Sequence, residues 1–370
     1  MSDRALMPDY LRLFALFGIV AVNVQFMAFP TTGGFQAATA RDPGDDIAIW
    51  LVQSLALLKT YGLFSFMFGV GLAFQIRSAD RRGLRFGSLY RNRMIGLALL
   101  GLLHGVLFFP GDILMLYAVT GAILFRWRDW PVARLVRIGV ILLAIQVLVA
   151  VAVTVGTPDT PADLLALEHR TMTEGAWIDV VIYRAISFGI IFPFLLIYQG
   201  ISALGWFCLG LAAVKSGLID TPRHPLWIRA RRLCVIPGVG LSLVGAALWQ
   251  WGDATLGECL VIVAAPVATL GYLGLIAAMA RAPKAAMRKV LSVGGSSLSI
   301  YLGQSIVLST LFAPYGFDLW DAVGPLQAVT IACAVTVALM ALLLVWRGAY
   351  ALGPFEWVLR RITRIGVDRS

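Results

Sequence analysis

The chain has 370 residues, 59% of them hydrophobic and 14% charged, with a mean hydropathy of +0.84 and a formal net charge of +10. Soluble domains carry about 25% charged residues, so a soluble globular fold is excluded. The chain reads as an all-α polytopic membrane protein, a single integral membrane domain over residues 1–370.

Ten apolar runs of spanning length follow one another: Pro8–Phe29, Thr60–Ile76, Met94–Phe109, Ile113–Phe125, Ile138–Val155, Ile191–Val214, Leu233–Trp251, Cys259–Ala280, Leu291–Phe312 and Leu326–Trp346. In lipid an open chain must satisfy its own backbone hydrogen bonds, which makes these runs helices. With a cytoplasmic N-terminus the outer segments hold only Arg41, Lys59, Arg170 and Arg184, and the other 26 of the 30 Lys and Arg are cytoplasmic. Such a split is the positive-inside signature and places both termini in the cytoplasm. The basic charge is thus a topology signal with affinity for anionic lipid headgroups, not a nucleic-acid footprint.

The first run is followed by Ala38-Thr39-Ala40, a small-residue cleavage pattern. The run is longer than a signal peptide's apolar core, however, and Asp3 and Asp9 offset Arg4 and Arg12 before it, so an uncleaved first span is expected. Ile178–Gly189, with Arg184, is expected along the outer surface as an interfacial helix. Two outer loops, Pro30–Asp46 and Gly156–Trp177, are long enough to cover a site. Phe64–Phe74 and Leu204–Val214 share an aromatic-then-small texture, a faint sign of duplication. The four cysteines, Cys208, Cys234, Cys259 and Cys333, have neither metal nor redox spacing and read as small buried residues. His169 and His224 fall on opposite sides of the membrane, so no histidine-based metal site is expected, and no Walker loop or G-x-S-x-G elbow occurs.

The stretches Asp9–Asn23 (DYLRLFALFGIVAVN), Leu63–Phe74 (LFSFMFGVGLAF), Gly101–Tyr117 with its His104 and Gly111-Asp112-Ile113-Leu114, Leu298–Ile306 (LSIYLGQSI) and Gly353–Arg360 (GPFEWVLR) together resemble the YeiB-like family of bacterial membrane proteins, domain of unknown function 418. Leu13 stands where that family has Gly, and Ser299-Ile300 stands where it has Thr-Asn. The family is in turn distantly similar to transmembrane acyltransferases, which pass an acyl group from a cytosolic coenzyme A thioester to an acceptor across the membrane. The resemblance therefore implies a bacterial inner (plasma) membrane location, an acyl-coenzyme A co-substrate, no tightly bound cofactor, and a membrane-embedded histidine as the working group.

His104 is that candidate. It lies between Gly101 and Gly105, small residues that let another helix approach, and Pro110-Gly111 closes a hairpin about 9 Å above it. A neutral imidazole can take a proton from an acceptor hydroxyl; alternatively it donates to a carbonyl and fixes packing. Tyr117, at matching depth on the returning helix, is the expected partner of His104. Asp112, expected higher at the mouth of the hairpin, fits an N-cap as well as a catalytic role. Arg12, one turn from Asp9, either snorkels or holds a cofactor phosphate. Asn23, Tyr301 and Gln304 are candidate substrate contacts, or helix-joining polar residues. The arginines from Arg77 to Arg93 fit coenzyme A phosphates as well as the positive-inside pattern, and Glu356 reads as compensating the dipole of its own short helix.

The readings that survive are an acyltransferase with His104 as general base and Asp112 and Tyr117 shaping the site, a small-molecule or lipid transporter, and a non-catalytic membrane scaffold. Membrane lipids and a small-molecule or lipid-linked acceptor are the implied partners, and a homo-oligomer stays open. The shape of the cavity next to His104 separates the three.

Overall fold

The computed structural model describes residues 6–32, 35, 40–156, 161–280 and 285–366. Asp3, Arg4, Ala38, Thr39, Arg281, Lys284 and Arg369, which enter the reading above, lie outside them. The regular structure of the described residues is helical, with no strand among them. Fifteen α-helices follow in order: α1 Met7–Ala28, α2 Pro43–Leu51, α3 Lys59–Asp80, α4 Phe86–Leu107, α5 Leu114–Arg126, α6 Val132–Gly156, α7 Ala162–Glu174, α8 Trp177–Tyr198, α9 Gly200–Lys215, α10 Pro225–Trp251, α11 Ala254–Met279, α12 Ala285–Val293, α13 Ser297–Phe312, α14 Pro325–Ala349 and α15 Pro354–Thr363.

Eight helical runs among the described residues are long and apolar enough to cross a membrane, and α5 and α9 are shorter apolar helices. The protein is a polytopic membrane protein. Nine of the ten expected runs map onto α1, α3–α6, α10, α11, α13 and α14; the tenth, Ile191–Val214, is divided at Gln199 between α8 and α9, and two further differences follow. Ile178–Gly189 is not a separate surface element: it is part of α8, which is itself of spanning length and carries Pro193 inside it. Arg184 there is buried rather than surface-lying. The second difference precedes Thr60. Pro43 to Asp80 forms one apolar run of 38 residues, in which α2 passes through π-helix at Val52–Ala56, breaks at Leu57–Leu58 and resumes as α3. Lys59, expected in an outer segment, is instead completely buried at this break.

Association of helices in lipid rests on close packing of small residues. The two similar stretches, Phe64–Phe74 and Leu204–Val214, pack on each other. A Cβ on Gly69 would lie 2.1 Å from the Phe207 carbonyl oxygen, and one on Gly210 would lie 2.0 Å from that of Phe66. The contact is reciprocal, and it forms the centre of the bundle with α6 packed outside it. The largest buried cluster runs from here through Leu63, Leu116, Tyr117 and Tyr301 to Met7 and Leu11. Arg12 near the start of α1 and one face of α15 border the same cavity, so both described ends of the chain lie on the same, arginine-rich side. On the opposite side, the buried Glu168 of α7 accepts from the backbone and hydroxyl groups of Thr31 and Thr32, tying the two long loops together.

Candidate functional site

The hairpin of α4 and α5 carries the first part of the site. Gly101 lets the two arms close, because its Cβ position is 2.4 Å from the Met115 amide nitrogen; Gly105 instead accommodates the ring of Phe188 from α8. The two glycines thus serve two different neighbours. His104 is 2% exposed and faces other helices, as the glycine pair requires.

Its partner is Asp112 rather than Tyr117. Asp112 is buried, not at a mouth; its Oδ1 lies 2.8 Å from His104 Nδ1, and its Oδ2 accepts from the Met115 amide at 2.8 Å. One carboxylate therefore caps the first turn of α5 and orients the imidazole. A carboxylate only accepts, so in the neutral imidazole Nδ1 bears the proton and Nε2 the lone pair. Nε2 is buried and has no hydrogen-bond partner. An imidazole fixed by Asp through one nitrogen and open at the other is the arrangement of a general base. Tyr117 shares a hydrogen bond through its hydroxyl with Ser65 Oγ at 2.7 Å. It belongs to the wall: Phe64 stacks on it at 5.9 Å between ring centroids. Tyr301 lies nearer the base, 5.1 Å from the His104 ring and 6.5 Å from Phe64, with its buried hydroxyl unpartnered.

The second part is a cavity of about 630 Å³ that opens at the arginine-rich end. Its polar lining comes from α1, α3, α4 and α15 and holds five guanidinium groups, Arg12, Arg82, Arg93, Arg360 and Arg364, against one carboxylate, Glu356. Its deeper wall is apolar, built by Phe64, Met67, Phe68 and Phe74. The cations crowd one another: burial first, then the charges of Arg364 and Arg82, pull Arg360 below the usual arginine range. Arg12 pairs with Asp9 at 3.0 Å yet still faces the cavity. Glu356 makes its hydrogen bonds away from these arginines. It reaches across to cap a different helix, accepting from the Leu298 and Ser299 amides at the start of α13 and from the Ser299 hydroxyl. Ser299, one of the positions where the sequence departs from the family pattern, also accepts from the Phe355 amide at 3.0 Å. It therefore fixes α15 as a wall of the cavity.

The remaining candidates fall elsewhere. Gln304 is buried but donates to Thr336 Oγ1 at 2.7 Å, joining α13 to α14. Asn23 is half-buried on α1 and is not among the residues lining the cavity. His224 accepts from the Leu226 amide as the cap of α10, and His169 packs edge-on against Trp320. No group of three or more His, Cys, Asp or Glu able to hold a metal occurs among the described residues. Two contributors were not picked out from sequence: Phe64, the aromatic partition, and the α15 arginines Arg360 and Arg364. Their amphipathic helix was recognised, but nothing in its sequence says that one face turns inward.

These features define an all-helical membrane protein with an arginine-lined cavity at one end and a buried His–Asp pair linked to its apolar wall by ring contacts. The comparisons narrow the class. Residues 213–366 match the family described as "Protein of unknown function (DUF418)". Nearly the whole chain is similar to uncharacterized bacterial proteins. It is 27% identical to YeiB of Escherichia coli (strain K12), covering 98% of this chain and 96% of that one, and 26% identical to YxaH of Bacillus subtilis (strain 168), covering 98% and 94%. An uncharacterized 39.9 kDa protein of Bacillus acidopullulyticus is 25% identical over 98% and 94%. The YeiB-like resemblance therefore extends through the His104 hairpin, which the family match itself does not reach. No solved structure matches.

Proposed function

We propose that this protein is an inner-membrane acyltransferase that takes an acyl group from a cytosolic acyl-coenzyme A and passes it to an extracytoplasmic or lipid-linked acceptor, with His104 as general base. One observation carries the reading. The His104–Asp112 pair is linked to the apolar wall of an arginine-lined cavity by ring contacts, Phe64 to Tyr301 and Tyr301 to His104. Guanidinium forks suit phosphate groups, and the apolar depth beyond them suits a pantetheine arm. The positive-inside pattern makes the cavity mouth cytoplasmic.

In this mechanism Phe64 swings aside and the thioester carbonyl comes to rest beside Tyr301. The acceptor hydroxyl gives its proton to His104 Nε2 as its oxygen attacks the carbonyl carbon. The carbon–sulfur bond breaks, and the departing sulfur takes the proton from the imidazolium. Asp112 holds the ring throughout. The unpartnered Tyr301 hydroxyl, rather than Asn23 or Gln304, takes the oxyanion-donor role.

The test is release of free thiol from acetyl-coenzyme A and longer acyl homologues by the purified full-length protein, with extracted lipid and glycan acceptors supplied. His104→Ala should lower turnover about 10²–10⁴-fold and leave the melting temperature near that of wild type. Arg93→Ala should raise KM instead. A wild-type protein that neither binds nor consumes any acyl-coenzyme A would end this reading. The break in Pro43–Asp80 favours a second reading, transport, because interrupted helices commonly build substrate or ion sites. Uptake into liposomes without thiol release would select it.

A further inference from the structure

The interruption between α2 and α3 is unlike the other helix ends. Gly18, halfway along α1, faces Thr60 directly, so the interruption lies at mid-depth in the bundle. The last residues before it are wound as π-helix, Val52–Ala56. Leu58 then adopts a positive φ of 64°. For a non-glycine residue that conformation is strained and persists only where the surroundings impose it.

The carbonyl groups freed at the break are met by side chains: Ala56 by Thr60 at 2.9 Å, Leu55 by Tyr272 at 3.1 Å, Lys59 by Thr269 at 3.3 Å, and Gln53 by the ammonium nitrogen of Lys59 at 3.0 Å. Lys59 is 0% exposed. The contact with Gln53 is the single hydrogen bond of its ammonium group among the described residues, and no described carboxylate pairs with it. An ammonium has three N–H donors, so one carbonyl leaves two unmet. The Gln53 side chain, also fully buried, leaves both its amide oxygen and nitrogen unpartnered. A space of about 10 Å³ opens on the other side of the break, against Leu58, Tyr61, Gln199, Ser202 and Thr269. That is room for one water with several polar partners.

We propose that this break is a mid-membrane proton-binding site, with the Lys59 amine as acceptor and the Gln53 carbonyl as the partner of its charged form. The amine lone pair takes up the proton to give the ammonium, which hydrogen-bonds to the carbonyl at the negative end of the first half-helix; release restores the amine. The surroundings are otherwise uncharged. α1 carries only Asp9 and Arg12, near its far end, and α11 presents Thr269 and Tyr272 and carries its one acid, Glu258, almost three turns away. Tyr272 and Tyr61 are the other titratable groups beside the break. The Arg229, Arg231 and Arg232 charges of α10 belong to its first turns, whereas its contacts with this run are made by Leu243 and Gln250. The site is separate from the His104–Asp112 pair, and the inference does not depend on acyl transfer.

A proton entering the membrane dielectric moves charge, so binding is read without knowing the protein's substrate. Full-length protein in liposomes adsorbed on a solid-supported membrane is given a rapid pH step across neutrality. Wild type should give a transient current; Lys59→Met and Lys59→Arg should reduce it to the level of empty liposomes, and His104→Ala should retain it. Lys59→Arg keeps a donor for the Gln53 carbonyl and a fixed charge, so it decides the matter if Lys59→Met fails to insert. Absence of current in wild type, an undiminished current in a folded Lys59 variant, or a current that His104→Ala removes would overturn the proposal.

Discussion

Asp112→Asn separates the two tasks of one carboxylate. Asp112 accepts from the Met115 amide through one oxygen and from His104 Nδ1 through the other, both at 2.8 Å and both out of contact with solvent. An amide offers one acceptor and one donor, while both partners of Asp112 are donors. The Met115 N–H cannot change, so the Asn oxygen stays with the cap and its NH₂ turns to His104. Nδ1 must then accept, the ring proton moves to Nε2, and the base loses the lone pair that faced the substrate. Hydrogen bonds to a charged group contribute about 1.5–3 kcal/mol each, and neutral ones about half as much. Asp112→Asn should therefore cost only about 1–3 kcal/mol, whereas Asp112→Ala loses both bonds and costs about 3 kcal/mol or more. Turnover should fall about 10²–10⁴-fold in both. Thermal unfolding in detergent read beside thiol release gives the two numbers. An Asp112→Asn protein with wild-type turnover would remove the dyad from the mechanism, and one as unstable as Asp112→Ala would refute the assignment of the cap.

Gln304→Ala should lower stability by about 1 kcal/mol, the scale of a helix-joining hydrogen bond in membranes, and leave turnover unchanged; lost turnover at intact stability would return Gln304 to the site. Gly210→Val places a branched side chain where even a Cβ would meet the Phe66 carbonyl at 2.0 Å. Forcing α3 and α9 apart should cost at least about 1–3 kcal/mol, read as a lower melting temperature and less folded protein, and an unshifted melting curve would refute the reciprocal packing.

The helical membrane class was legible because composition and run length follow directly from the bilayer as solvent. The hairpin at Pro110-Gly111 was legible for the same reason: two apolar runs joined by a turn too short for anything else. His104 was legible as an ionisable group with no business facing lipid. Its partner was not. Helical rise places Tyr117 level with His104, but level says nothing of azimuth, and Tyr117 points at Ser65 while the turn folds Asp112 back under the imidazole. Glu356 shows a related limit. Its position in the first turn of α15 explains it locally, and only the fold brings the α13 N-terminus close enough to claim both carboxylate oxygens.

Lys59 exposes what a charge count assumes. The positive-inside rule treats any cation at the end of an apolar run as lying in water, and that holds only where the run truly ends. At Leu57–Leu58 the run is interrupted and continues, so the lysine that looks terminal in sequence is fully buried, the most enclosed cation among the described residues. Of the four charges counted as outer, Lys59 and Arg184 are both buried within helical runs, so the outer side is less basic still. The same error would be made at any broken helix. An apolar run that starts abruptly at a lysine, preceded by another apolar stretch such as Ile47–Leu57 with no polar loop between, is better read as one interrupted span. On that reading the ionisable residue at the interruption becomes a candidate site instead of a topology marker.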